Sequence, residues 1–282
     1  MHNKSKKKLT FNVVVYILVI VCTILSLFPT FFAFLLAVLK EKNANAMYDD
    51  VMQIFSGFTF ENFINVLQGS NIPRWTLNSF IVAIVQTVLY VFIASLAAFG
   101  FSRLKFKGRK VLFDICLFSM LVPGIINCVP NYIIISSMGL YDSLFAMILP
   151  GLSGVGGVFL LKQFMDNIPK DYDEVCRVEG ASNFTIYRKV ILPLCGPAFA
   201  SQAIFSFQGA WNDFLWPIIV TSSDENRTLA SGLYKTLMAD TQYRSSLMAA
   251  SIISAIPIII VFIFLLLLIM LLERMDLLAM IL

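Results

Sequence analysis

The chain has 282 residues, of which 59% are hydrophobic and 13% charged. A soluble domain of that make-up would expose large contiguous apolar patches and aggregate, so the composition excludes the soluble classes and points to the membrane. The formal charge of +4 is no sign of nucleic-acid binding, because the basic residues sit at the edges of apolar segments.

Six apolar runs reach the roughly 17–25 residues that a bilayer-crossing helix needs. In chain order they cover Phe11–Leu39, Leu77–Phe101, Val111–Ile135, Leu144–Phe164, Ala198–Thr221 and Leu247–Leu272. The first follows Lys4, Lys6, Lys7 and Lys8 as a signal peptide would. It is too long for the apolar core of a signal peptide and lacks a small-residue cleavage motif, so it is expected to stay as an anchor. Lys40 to Trp75 then form a long polar loop punctuated by Gly57, Gly69 and Pro73, within which Phe58–Leu67 reads as a short amphipathic helix on the outer surface. A second polar loop, Ser222 to Ser246, separates the last two runs; its Asn226-Arg227-Thr228 sequon is given no weight.

Fifteen of the 21 basic residues fall on one side of these runs: the N-terminal lysines, Arg103 to Lys110, Lys162 to Lys189, and Arg274. The positive-inside rule places that side, and both termini, in the cytoplasm. Residues 1–282 thus read as a single all-α integral membrane domain with six transmembrane helices and no internal repeat.

The cytoplasmic segment between the fourth and fifth runs carries the most informative pattern. Pro169 suits the first turn of a helix, with Asn167 as its cap. Tyr172, Val175 and Cys176 fall at helical spacing and would form an apolar stripe, leaving Asp173, Glu174 and Arg177 toward polar surroundings. Gly180 stands where a left-handed C-terminal turn favours a residue without Cβ. Ser182 or Asn183 can cap a second helix that runs through Lys189 and stops at Pro193. The expected product is helix, sharp bend, helix, parallel to the membrane. On physics alone it is either a lever that docks into a cleft of another subunit or an interfacial anchor, and the two readings balance.

The stretch Glu174-Val175-Cys176-Arg177-Val178-Glu179-Gly180-Ala181, followed by Val190-Ile191-Leu192-Pro193, resembles the EAA loop of binding-protein-dependent ABC import permeases. Glu174, Gly180, Val190, Leu192 and Pro193 fall on that family's spacing; Val175 and Cys176 stand where it carries two alanines. Asn78 to Ala83, Ser95 to Leu104, Trp211-Asn212-Asp213-Phe214-Leu215-Trp216-Pro217 and Arg227-Thr228-Leu229 look like the corresponding segments of carbohydrate-import permeases of the maltose-system type. The resemblance runs over nearly the whole chain. It implies a type I importer with a second permease subunit, two ATPase subunits that bind ATP and Mg, an external solute-binding protein and a sugar as cargo. It also implies that Glu174, Val175, Cys176, Glu179, Gly180, Ala181, Leu192 and Pro193 belong to the socket for an ATPase subunit. After Glu273-Arg274, Met275–Leu282 are mostly apolar and lack the Gly/Thr-rich tail common in that family, so no regulatory contact by the tail is carried over.

The chain itself holds no G-x-x-x-x-G-K-[ST] phosphate cradle, so ATP hydrolysis, catalytic residues and cofactors are expected in a partner and not here. The five cysteines are scattered without metal-ligand spacing, and the single histidine is His2; no metal site is expected. Gly151-Leu-Ser-Gly-Val-Gly-Gly157 lies inside an apolar run and reads as a close-packing segment, with Ser153 and Gly157 as a small-xxx-small pair.

Polar groups within spans are costly and tend to face the bundle interior or a water-filled path. Gln86 and Tyr90 (with Ser79 on the same face), Asn127 and Asn131 around Pro130, and Gln208, Trp211, Asn212 and Asp213 are the candidates for a translocation path. Equally, these amides can bond neighbouring helices and the aromatics can mark the outer interface. The leading functional expectation is a permease subunit that passes a sugar or oligosaccharide inward. Its rivals are a related permease for another solute, and an ion-coupled secondary transporter, for which Asp213 alone supplies little mid-membrane charge.

Overall fold

In hydrocarbon, every backbone N–H and C=O must be satisfied within the chain, so apolar runs fold as helices and break only where packing covers the break. The computed structural model describes residues 2–46, 57–69, 71–239 and 244–281. Among them only helices and turns occur, apart from one isolated bridge between Leu39 and Phe58. Three helices are long and apolar enough to span a bilayer alone, and three bent pairs bring the number up to six. Within the two long polar loops, residues 47–56, 70 and 240–243 lie outside the described residues.

The chain divides into two compact units, the first being Met1–Ile72 with Lys235–Ala255. Its helix α1 (His2–Ala37) holds the first apolar run up to Ala37, two residues short of the expected end, and the most apolar window of that helix is not buried at all. A short α2 (Glu41–Ala46) and the expected amphipathic α3 (Glu61–Gly69) follow. Buried Asn62 donates to the carbonyls of Ala37 and Leu39, both at 2.7 Å, and so satisfies groups left open at the end of α1. The Glu41 carboxylate accepts the amides of Ser245 and Ser246 at 2.9 and 3.2 Å, which caps the first turn of the last helix, Arg244–Ile281.

The second unit is Pro73–Tyr234 with Ile256–Leu282. Here α4 (Ile72–Arg103) is the second run, unbroken. The third run is not the single helix expected over Val111–Ile135. It forms α5 (Arg109–Ser119) and α6 (Cys128–Ser137), bent by 94° across a tight turn at Gly124–Asn127. Pro123 supplies the stop, having no N–H to donate and an extended backbone. The fourth run also breaks, into α7 (Leu144–Ile148) and α8 (Val155–Asp166), bent by 45° around Pro150–Ser153. The patterned segment between the fourth and fifth runs becomes α9 (Asp171–Val178), α10 (Asn183–Ile186) and α11 (Leu192–Leu194). The fifth run is α12 (Gly196–Asn212), interrupted at Asp213, then α13 (Leu215–Val220); α14 (Leu229–Ala239) follows.

Two packed clusters hold this unit. One joins Ala98 and Phe99 of α4 to Leu161 and Met165 of α8 and to Ile186, Tyr187 and Ile191 of the loop. The other joins Val82 of α4 to Ile135, Met147, Trp216 and Val220. Between lipid-embedded helices the gain comes from close packing more than from water exclusion, and small residues permit it. Gly151, Gly154 and Gly157 bring α7 and α8 against α4: a Cβ at Gly157 would stand 2.6 Å from the Tyr90 hydroxyl, and one at Gly151 would overlap the Gln86 side chain. The expected Ser153–Gly157 pair is therefore displaced by this glycine triplet, and exposed Ser153 bonds the Pro150 carbonyl instead.

Candidate functional site

The loop between the fourth and fifth runs is built on one backbone bend. At the end of α9, the Ala181 amide donates to the Cys176 carbonyl at 2.9 Å and the Gly180 amide to the Arg177 carbonyl at 3.0 Å. This crossed pair is a Schellman closure, and it needs a left-handed residue, which Gly180 supplies at φ +81°. Ser182 then caps α10, its Oγ accepting the Thr185 amide at 3.2 Å. The second helix does not stop at Lys189. A single π turn, Tyr187–Ile191, carries it on through Pro193 to Leu194. The wider turn keeps the carbonyl four residues back away from the proline ring, which an α-helix would force into contact.

Two expectations about the start and face of α9 are corrected. Asn167 closes α8 instead of opening α9, and Pro169 lies ahead of the helix, whose cap position is Lys170. The inward face carries Asp173 and Cys176, while Tyr172, Val175 and Val178 are 52%, 61% and 90% exposed. The reason is Arg103 at the end of α4. Its Nε lies 3.5 Å from the Asp173 carboxylate, with both side chains almost fully enclosed. Its Nη2 also donates to the carbonyls of Met165 and Ile168 at 2.8 and 2.9 Å. One guanidinium thus ties the end of α8, the connection and α9 to α4, and turning Asp173 inward turns the apolar stripe outward. Glu174 and Glu179 are exposed, Ala181 and Leu192 are half-buried, and Pro193 is exposed. Seventy residues separate Arg103 from Asp173, so no local pattern could reveal the pair.

The path candidates divide. The Tyr90 hydroxyl accepts the Gly157 amide at 2.8 Å, an open donor in the first turn of α8, and Ser79 Oγ accepts the Leu229 amide at 2.8 Å. These two join helices. Trp211 is buried, stacked on Phe207 and edge-on to Phe80. Asp213 is half-buried and accepts the Trp216 amide at the start of α13. Gln86 is half-buried against Gly151, Asn127 is exposed on the turn before α6, and Asn131 is half-buried. Gln208 and Asn212 are exposed at the end of α12 farther from the loop. Gln202, which sequence reading passed over, is buried in α12 beside Gly157.

Residues 11–275 match the family described as the binding-protein-dependent transport system inner membrane component. This chain belongs to that family. It is 32% identical over 203 residues to the arabinooligosaccharides transport system permease protein AraQ of Bacillus subtilis, covering 72% of both chains. It is 30% identical over 245 residues to the inner membrane ABC transporter permease protein YcjP of Escherichia coli, covering 84% of this chain and 85% of the relative. Its fold matches a chain from the solved structure of a bacterial ABC transporter involved in the import of the acidic polysaccharide alginate, with a TM-score of 0.74 at 21% identity, over 89% of this chain and 94% of the other.

In this permease the loop after α13 is locked by its own polar network. Trp75 and Asn78 of α4 donate to the carbonyls of Asp224, Glu225 and Arg227 at 2.7–2.8 Å. Asp142 Oδ1 accepts the amides of Ser222 and Ser223 and the Ser223 hydroxyl at 3.0–3.2 Å. Partial burial pushes the Asp142 carboxyl up, but these donors outweigh it and hold it below its ordinary value. A depressed folded pKa makes the stabilisation complete above the unfolded value of about 3.9 and lost as pH falls through the folded one. Asp142→Asn is therefore expected to lower the melting temperature by a few degrees at pH 7 and to flatten its decline below about pH 4. Melting curves of the detergent-solubilised permease across that range check both.

Proposed function

We propose that the chain is one transmembrane domain of an ATP-driven importer that passes a sugar or oligosaccharide from an external binding protein to the cytoplasm. In this reading both termini and the α9–α11 loop are cytoplasmic, a second permease subunit completes the channel, and two ATPase subunits bind ATP and Mg. The observation that carries the coupling role is the exposed stripe of Tyr172, Val175 and Val178, on a helix whose opposite face is pinned by Arg103. An interfacial anchor would surround such a stripe mainly with lysine and arginine, whereas here exposed Asp171, Glu174 and Glu179 outnumber exposed Lys170 and Arg177. An apolar stripe flanked by more carboxylates than cations suits a protein cleft better than an anionic membrane surface. The arabinooligosaccharide transport of one relative supports sugar as cargo.

Orientation is tested in a cysteine-free background, because half-buried Cys176 would resist labelling from either side. A cysteine at Glu225 should react with a membrane-impermeant reagent in wall-stripped cells, and one at Val178 only after permeabilisation. Labelling of Val178→Cys from outside inverts the assignment.

The path is tested at Asn212. Among the described residues, its amide and that of Gln208 make no side-chain hydrogen bond, although both are exposed on a span where lipid contact would be costly. Facing an aqueous path or the partner permease removes that cost. Asn212→Leu is expected to cut uptake about tenfold with an unchanged melting temperature, since about 1.4 kcal/mol of sugar hydrogen bonding is lost but no internal bond. Unchanged uptake with a lowered melting temperature overturns the assignment.

A further inference from the structure

We propose that the basic clefts where the end of α4, the start of α5 and the end of α8 meet form a binding site for the phosphate headgroup of an anionic phospholipid. Two clefts, of about 580 and 360 Å³, share Ser102, Arg109 and Lys170 in their walls. Lys105 adds to the first and Lys110 to the second. Among the described residues, none of Lys105, Arg109, Lys110 and Lys170 is in an ion pair, whereas neighbouring Lys162 and Arg103 are spoken for by Asp166 and Asp173.

A second observation points into the larger cleft. Arg103 lines it with a side chain only 1% exposed, and its buried Nη1 has no hydrogen-bond partner. A buried guanidinium donor left open beside four cations outside any ion pair, of which Arg109 is engaged with the Leu104 carbonyl at 3.1 Å, is the arrangement that a phosphate oxygen completes.

The walls explain why the anion is a lipid and not free phosphate. Phe101 packs on Phe113 at 5.3 Å and on Phe106 at 6.2 Å, so an aromatic seam runs beside the cations. From there α5 presents Val111, Leu112 and Ile115, 62%, 49% and 58% exposed, along the start of the third span. Cations at a span end, then aromatics, then an apolar helix face match an amphiphile from head to tail. Asp173, Glu174 and Arg177 of α9 also line the larger cleft.

The larger cleft shares Asp173, Glu174 and Arg177 with the helix to which the proposed function assigns ATPase docking. The test therefore reads lipid retention by the isolated chain, where no ATPase takes part and failure of one reading does not entail failure of the other. The full-length chain, purified in a zwitterionic detergent, is incubated with phosphatidylglycerol or phosphatidylcholine of equal acyl chains and examined by native mass spectrometry. Phosphatidylglycerol is expected to be retained roughly tenfold better. The Lys105→Gln, Lys110→Gln, Lys170→Gln triple variant should lose that preference, the triple Lys→Arg variant should keep it, and millimolar inorganic phosphate should not displace the lipid. Equal retention by the triple glutamine variant overturns the proposal. Displacement by phosphate overturns it in favour of a free-anion site. No lipid preference in the wild type, with loss of ATPase co-purification in the glutamine variant, overturns it in favour of a protein-docking face.

Discussion

Gly180→Val is expected to cut coupled uptake about tenfold while leaving the chain inserted in the membrane. The bend after α9 holds Gly180 at φ +81°, where a residue with a Cβ costs about 1–2 kcal/mol and a β-branched one more. Nothing lies within 4 Å of a Cβ built there, so the substitution creates no clash and acts through the backbone alone. If the strain opens the turn, the two crossed hydrogen bonds from Gly180 and Ala181 are also lost, at about 1 kcal/mol each. Those bonds resist the opening, so the strain alone sets the shift: about 1–2 kcal/mol depopulates the bent loop roughly five- to thirtyfold relative to open alternatives, and a β-branched side chain more. The exposed Tyr172–Val178 stripe would then no longer be presented at a fixed angle to α10. Gly180→Asn provides the graded control, because asparagine tolerates the left-handed region and should retain most activity. Uptake and ATPase co-purification are measured on all three forms. Wild-type values in Gly180→Val remove the mechanical role of the bend.

The features legible in the sequence are those set by local chemistry. Apolar runs located the spans, and Gly180 and Ser182 marked a left-handed stop and a cap because those roles need particular residues within one turn. The breaks in the third and fourth runs were harder. Pro123-Gly124 and Pro150-Gly151 are breaker signals, but they sit in stretches apolar enough to pass as continuous helix. The face of α9 was misread for a different reason. Helical spacing groups Asp173 with the polar residues of α9 and Cys176 with the apolar stripe. Yet a buried arginine at the end of α4 draws the Asp173 carboxylate inward, which brings Cys176 in with it and leaves Tyr172 and Val175 outward. Likewise Tyr90 reads as a polar path residue, and only the meeting of two helices shows its hydroxyl closing the open amide of Gly157. Contacts between residues tens of positions apart leave no trace in spacing.

Arg103→Met is the substitution expected to damage stability most. It leaves the Asp173 carboxylate 10% exposed without its counter-charge and removes both bonds to the carbonyls of Met165 and Ile168. Breaking one side of a buried pair costs about 3–5 kcal/mol, because the stranded charge is costlier than the pair was favourable. Replacing both partners, as in Arg103→Met with Asp173→Leu, should recover most of the melting temperature, since no charge is left stranded. Uptake should stay low in that double variant. The two carbonyl bonds that fix the end of α8 and the connection to α9 remain missing, and an apolar pair does not hold the loop to α4 in one register. Arg103→Lys separates charge from geometry: it keeps the cation but cannot fork to Asp173 and both carbonyls at once, so stability and uptake should both be intermediate. A single Arg103→Met variant with wild-type melting and uptake would show that α9 is held by the apolar cluster around Tyr187 and Ile191 alone. In the arrangement described, that cluster fixes where the loop sits, and the guanidinium fixes which face of α9 it offers to a partner.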